Sequence, residues 1–109
     1  MKQFEIWWAS LPSPVGRRPV LLLSRDAAYD YLNKVIIAEI TTTVRGIPQE
    51  VLLGRKQGLA EPCVANLNSL HVIAKSSLQA RLGALSAPRA VEVKRALGYA
   101  LGLPELKAL

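Results

Sequence analysis

The chain has 109 residues, half of them apolar and 20% charged, with a net charge of +6 and a pI of ≈ 9.9. Such a length suits one domain over residues 1–109 and leaves no room for a second core, and this apolar-to-charged balance is that of a folded chain. No apolar run reaches the ~20 residues of a membrane span, Glu5 interrupts what would be the apolar region of a signal peptide, and one cysteine with one histidine excludes an internal disulfide and argues against zinc.

The expectation is therefore a cytoplasmic, basic domain with no membrane association. Residues 1–58 carry eight basic and five acidic side chains, and residues 59–109 carry six and three, so both halves are +3. The charge is spread over a folded surface rather than held in a tail. A polyanion or an acidic protein partner suits it.

In chain order, residues 4–9 are aromatic and β-branched and predict a strand. Residues 10–16 break it, because Pro12 and Pro14 remove donors and Gly16 permits unusual dihedrals. Residues 19–24 and 35–43 are the strongest strand predictions, and their continuous apolar character suggests burial on both faces. A turn at residues 45–48 precedes a short strand at 50–53 and a loop through Gly54 and Gly58. Residues 63–67, 69–73 and 82–85 read as three further short extended pieces.

The period then changes. Ser86 is a good N-cap and Pro88 falls in the first turn of a helix. Ala90, Val93, Leu97, Ala100 and Leu101 form its apolar stripe, Gly102 supplies the stop, and Pro104 is expected to prevent resumption. Gly98, costly inside a helix, is explained if the helix packs closely on a neighbour. The fold class is α+β, mainly β: a small strand-rich barrel closed by a C-terminal α-helix.

Familiar catalytic sets are missing. There is no P-loop, no GxGxxG and no HExxH. His71 has no carboxylate or serine near it in sequence and reads as a surface or partly buried side chain. Cys63, after Pro62, reads as a core thiol. An enzyme built from this chain works with arginine, hydroxyls and at most a carboxylate. That set suits phosphoryl transfer within RNA, where the nucleophile is the substrate's own 2′-OH and the protein positions phosphate and stabilises developing charge.

The run Gly16-Arg17-Arg18-Pro19-Val20, leading into Leu21-Leu22-Leu23-Ser24, resembles the loop-to-strand motif of the MazF/PemK toxin family. The resemblance continues through Glu5-Ile6-Trp7-Trp8, Ile40-Thr41-Thr42-Thr43, Gly46-Ile47-Pro48 with Glu50-Val51, and Asn66-Leu67. It ends with Leu82-Gly83-Ala84-Leu85-Ser86 and Ala100-Leu101-Gly102-Leu103, all in family order. It implies an SH3-like barrel of the MazF/PemK/CcdB type and a homodimer. The activity it implies is that of the toxin of a type II toxin–antitoxin pair, a sequence-specific endoribonuclease, or RNA interferase, that needs no metal or other cofactor. The substrate would be single-stranded RNA, such as mRNA, tRNA or rRNA, and the restraining partner an antitoxin whose flexible acidic tail covers the RNA groove. By position, Arg18 is the catalytic arginine and Thr41 the catalytic threonine, with Arg17, Thr42, Thr43 and Arg45 as RNA-binding residues.

The first loop, Pro12-Ser13-Pro14-Val15, is shorter and less charged than in many relatives, and the resemblance assigns no role to Glu39. Strand alternation alone puts Ile37, Glu39 and Thr41 on one face, with Glu39 roughly 7 Å from Thr41. Glu39 would then orient the Arg18 guanidinium, accept the 2′-OH proton, repel the phosphate, or serve only as a strand-edge charge. Trp7 and Trp8 point to opposite faces, one to the core and one to a base or an interface. The competing functions are a CcdB-like barrel that binds a protein and cleaves nothing, and an inactive RNA-binding barrel. CcdB-like toxins present a tryptophan near the C-terminus, and this chain has none after Trp8.

Overall fold

In the computed structural model, which describes residues 1–109, six antiparallel strands form one curled sheet. The elements are β1 (Glu5–Ser10), β2 (Arg17–Leu22), α1 (Ala28–Tyr31), β3 (Lys34–Thr41), β4 (Glu50–Leu53), β5 (Cys63–Ala74), β6 (Leu78–Ala84), α2 (Ala87–Leu101) and α3 (Pro104–Lys107). The strand order is β4-β5-β3-β2-β1-β6. No helix is long and apolar enough to cross a membrane.

Period-two alternation sends side chains from the same strands into two cores. Ile6, Leu21, Ala38 and Ile40 join Val93 and Ala96 of α2 in the larger core. Val20, Leu22, Val35 and Ile37 face the other way, onto Tyr29 of α1 and Leu78. Burial on both faces, expected over residues 19–24 and 35–43, holds for Val20, Leu21 and Leu22 and for Val35, Ile37, Ala38 and Ile40, but Ile36 is exposed. β3 ends at Thr41, leaving Thr42 and Thr43 exposed beyond the sheet. Trp7 packs on the smaller core, while Trp8 lies on the other face beneath Arg17.

The sheet is a half-barrel whose gap is narrowed by the turn after β4, not by a further strand pair. The backbone at Gln57 and Gly58 passes directly against Leu82 and Gly83 of β6. A methyl group on Gly58 would collide with the Leu82 carbonyl, and one on Gly83 with the Gln57 carbonyl. Gly58 also has φ +86°, which a residue with a side chain resists.

Four expectations change. Residues 63–67 and 69–73 are one strand, β5, because a bulge absorbs the irregularity between them. Ala38 pairs with Leu70 but Glu39 pairs with Asn66, leaving Leu67, Asn68 and Ser69 of β5 without partners on β3. The last strand begins at Leu78, before the expected residue 82, because its early part pairs with Trp7, Trp8 and Ala9. Pro104 opens α3 instead of ending helical structure, since a proline at the first helical position loses no needed donor. Leu101 falls outside the buried stripe, and Ala96 takes a place in it. Gly98 behaves as expected: a Cβ there would lie 2.6 Å from the Lys107 nitrogen of α3. The four-residue α1 has no period long enough to announce itself in sequence.

Candidate active site

The β2–β3 register carries the site. Val20 stands opposite Glu39, and period-two alternation puts Arg18, two residues before Val20, on the face that Glu39 and Thr41 share. Arg18 Nη1 donates to Glu39 Oε1 at 2.9 Å, with the Arg18 side chain 36% and the Glu39 side chain 16% exposed. A diagonal cross-strand pair of opposite charge is thereby built into the sheet. Thr41 ends β3, and its Oγ1 accepts from the Thr43 N–H at 3.2 Å, which turns the chain away from the sheet.

Two clefts meet at Arg18 and Thr41. The larger, about 490 Å³, runs along the edge of the larger core past Trp8, Arg17, Pro19, Thr42, Leu59 and Leu82. The smaller, about 190 Å³, is lined only by polar and charged residues, Glu39, Thr43, Arg45, Asn66 and Ser69 as well as the shared pair. Every residue expected at the site therefore borders one of the two clefts. They do not form one cluster, however. Arg17 points to the opposite face from Arg18, with its guanidinium 4.2 Å from the Trp8 ring centroid and its Nε donating to Gln79 at 2.9 Å. Arg45 extends from a loop fixed by Glu50, whose carboxylate accepts from the Arg45 and Gly46 N–H groups at 3.0 and 2.9 Å.

One member was not foreseen. His71 Nε2 lies 2.8 Å from Glu39 Oε2, so a single carboxylate joins Arg18 on one side to His71 on the other. The two residues are 32 positions apart in sequence, which is why His71 showed no carboxylate neighbour. Only the β3–β5 register, with Ile37 opposite His71, brings them together.

Cys63 borders the larger cleft, but burial, aided by the Glu61 charge, pushes its thiol up. It is buried against Leu53, as a core thiol should be, and is not primed as a nucleophile. No three His, Cys, Asp or Glu side chains converge anywhere in the fold to hold a metal ion. Chemically, the assembled groups offer a guanidinium and a hydroxyl to a phosphate, with a carboxylate fixing the guanidinium.

Six antiparallel strands curled into a half-barrel, with a helix at the C-terminal end, make this a small mainly-β fold. Residues 2–101 match the model of the PemK-like, MazF-like toxins of type II toxin–antitoxin systems, and the chain belongs to that family. It is 37% identical over 98 residues to the probable endoribonuclease MazF5 of Mycobacterium tuberculosis, covering 89% of each chain. The solved Mycobacterium tuberculosis toxin MazF-mt6 superposes with a TM-score of 0.85 at 34% identity, covering 91% of this chain and 97% of that one. A mycobacterial endoribonuclease solved with its cognate antitoxin superposes at 0.83 with 27% identity, covering 95% and 97%. The fold expectation and the family resemblance are both borne out, and the CcdB-like reading gives way to that of a MazF-like toxin.

Proposed function

We propose that this MazF-like toxin, an endoribonuclease by family, cuts single-stranded RNA at short sequence motifs with Arg18 and Thr41 at the reacting phosphate and no metal ion. The observation that carries the reading is that Arg18 and Thr41 are the two residues lining both clefts. An RNA strand passing from one cleft to the other places a phosphate between them.

The substrate's 2′-oxygen attacks the adjacent phosphorus. A bond from O2′ to phosphorus forms, the bond to O5′ breaks, and the products are a 2′,3′-cyclic phosphate and a 5′-hydroxyl. The proton lost from the 2′-OH passes to solvent or to Glu39, and O5′ takes one up on leaving. Arg18 supplies a planar charged donor to the non-bridging oxygens, and Thr41 adds a neutral one. Glu39 orients the guanidinium; its two oxygens already accept from Arg18 and meet His71, which favours orientation over repulsion. Arg17, Thr42, Thr43 and Arg45 flank the path of the strand along the two clefts. Trp8 offers a stacking face there, already covered on one side by Arg17.

The same basic clefts suit an acidic antitoxin tail that competes with RNA in the cytoplasm, in keeping with the net charge of +6. Ile36 and Val72, in register on β3 and β5, leave an exposed apolar pair that a two-fold dimer would cover. The test is incubation of purified protein with a mixed single-stranded RNA pool in EDTA, followed by mapping of new ends. Cleavage at a short recurring motif supports the reading. Loss of all cleavage in EDTA with recovery on adding magnesium overturns the mechanism, and binding without any cleavage makes the barrel an inactive RNA binder.

A further inference from the structure

We infer that His71 is a positioning residue for RNA cleavage, acting on Arg18 through the shared Glu39 carboxylate. The inference rests on the proposed nuclease reading. A carboxylate tethered to arginine alone is free to turn about its terminal torsion and carry the guanidinium with it. Here Oε1 meets Arg18 Nη1 at 2.9 Å and Oε2 meets His71 Nε2 at 2.8 Å, so the carboxylate plane is pinned at both ends. Two groups from neighbouring strands, Glu39 on β3 and His71 on β5, thereby hold the guanidinium that β2 brings to the cleft.

The chemistry of each partner differs. The guanidinium holds one oxygen through a planar, permanently charged fork, and the imidazole holds the other through the single donor of its Nε2–H tautomer. The charged groups that line the smaller cleft beside Glu39 are Arg18 and Arg45; Glu5 and Arg81 pair with each other further along the sheet, and the Glu50 carboxylate is turned to the backbone N–H groups of Arg45 and Gly46. His71 is half-exposed, so substituting it removes the contact to Glu39 without opening a cavity in the core.

The experiment compares wild type, His71→Ala and His71→Gln on an oligoribonucleotide carrying a cleavage motif mapped for the wild type, in EDTA, from pH 5.5 to 8. His71→Ala is expected to lower kcat about tenfold at unchanged KM, the scale of a lost positioning contact. His71→Gln, whose amide still donates to Glu39, is expected to recover to within about threefold of wild type across that range. Thermal unfolding of each variant reports on the fold, and His71→Gln keeps the comparison valid if His71→Ala unfolds. A wild type that cleaves, with both variants within twofold of it at every pH, overturns this inference and leaves the nuclease reading standing. A wild type that cleaves no RNA overturns both.

Discussion

Arg18 and Glu39 meet across adjacent strands, guanidinium to carboxylate at 2.9 Å, because Val20 and Glu39 are register partners and Arg18 lies two residues along the same face. The Glu39 side chain is 16% exposed and the Arg18 side chain 36% exposed, so the anchoring residue is the more enclosed of the two. Glu39→Gln keeps the shape and removes the charge that holds the guanidinium. Turnover should fall about tenfold while RNA affinity holds or tightens, since a negative charge has left the cleft. Steady-state cleavage beside filter binding checks this. Faster cleavage by the variant would show that Glu39 acts by repulsion.

Arg18→Ala should lower the rate on the order of 10²–10³ if its guanidinium stabilises charge in the transition state. Arg18→Lys should recover little, because an ammonium cannot offer two parallel hydrogen bonds to phosphate. Single-turnover rates separate these effects from product release. Full activity in either variant contradicts the assignment.

The strands around this pair were legible from sequence because their apolar runs are long and their turns are marked by proline and glycine. Alternation alone put Glu39 and Thr41 on one face, and the family resemblance supplied the roles of Arg18 and Thr41. His71 was not legible. Its link to Glu39 depends on which residues of β5 face β3, and a bulge at residues 67–69 shifts that register in a way no local pattern marks. Arg17 and Arg18 are neighbours in sequence, so only the strand's alternation reveals that they serve opposite faces.

Gly98 tests the packing of the last two helices. Alanine normally gains about 1 kcal/mol over glycine inside a helix. Here its Cβ would lie 2.6 Å from the Lys107 nitrogen and 2.8 Å from the Leu106 Cβ. Gly98→Ala should therefore destabilise the protein by roughly 1–3 kcal/mol, the usual cost of overpacking. Urea unfolding measures it. A stabilised variant would mean that α3 does not pack there.

Acid stability should depend on Glu5. Burial pushes its carboxyl up, but hydrogen bonds from the Trp7 indole, the Lys2 N–H and Arg81, with the Arg81 charge, outweigh this and hold it below the usual 4.5. A carboxyl depressed in the folded state contributes stability above its unfolded value, and loses it as pH falls through the folded one. Wild type should thus lose stability below pH ~4.5. Glu5→Gln should start less stable at pH 7 and show a flatter acid limb, followed by tryptophan fluorescence during thermal unfolding. Parallel acid limbs for the two proteins would remove Glu5 from the account.

If the RNA's own 2′-oxygen is the nucleophile at an Arg18–Thr41 centre, the loss of that one atom from the substrate abolishes cleavage. Two oligonucleotides decide it: an RNA carrying the mapped motif, and the same RNA with a 2′-deoxy sugar on the 5′ side of the scissile phosphate. In EDTA, wild type should cut the first to a 2′,3′-cyclic phosphate and a 5′-hydroxyl and leave the second intact while binding both. Cleavage of the deoxy substrate at a comparable rate would contradict the account.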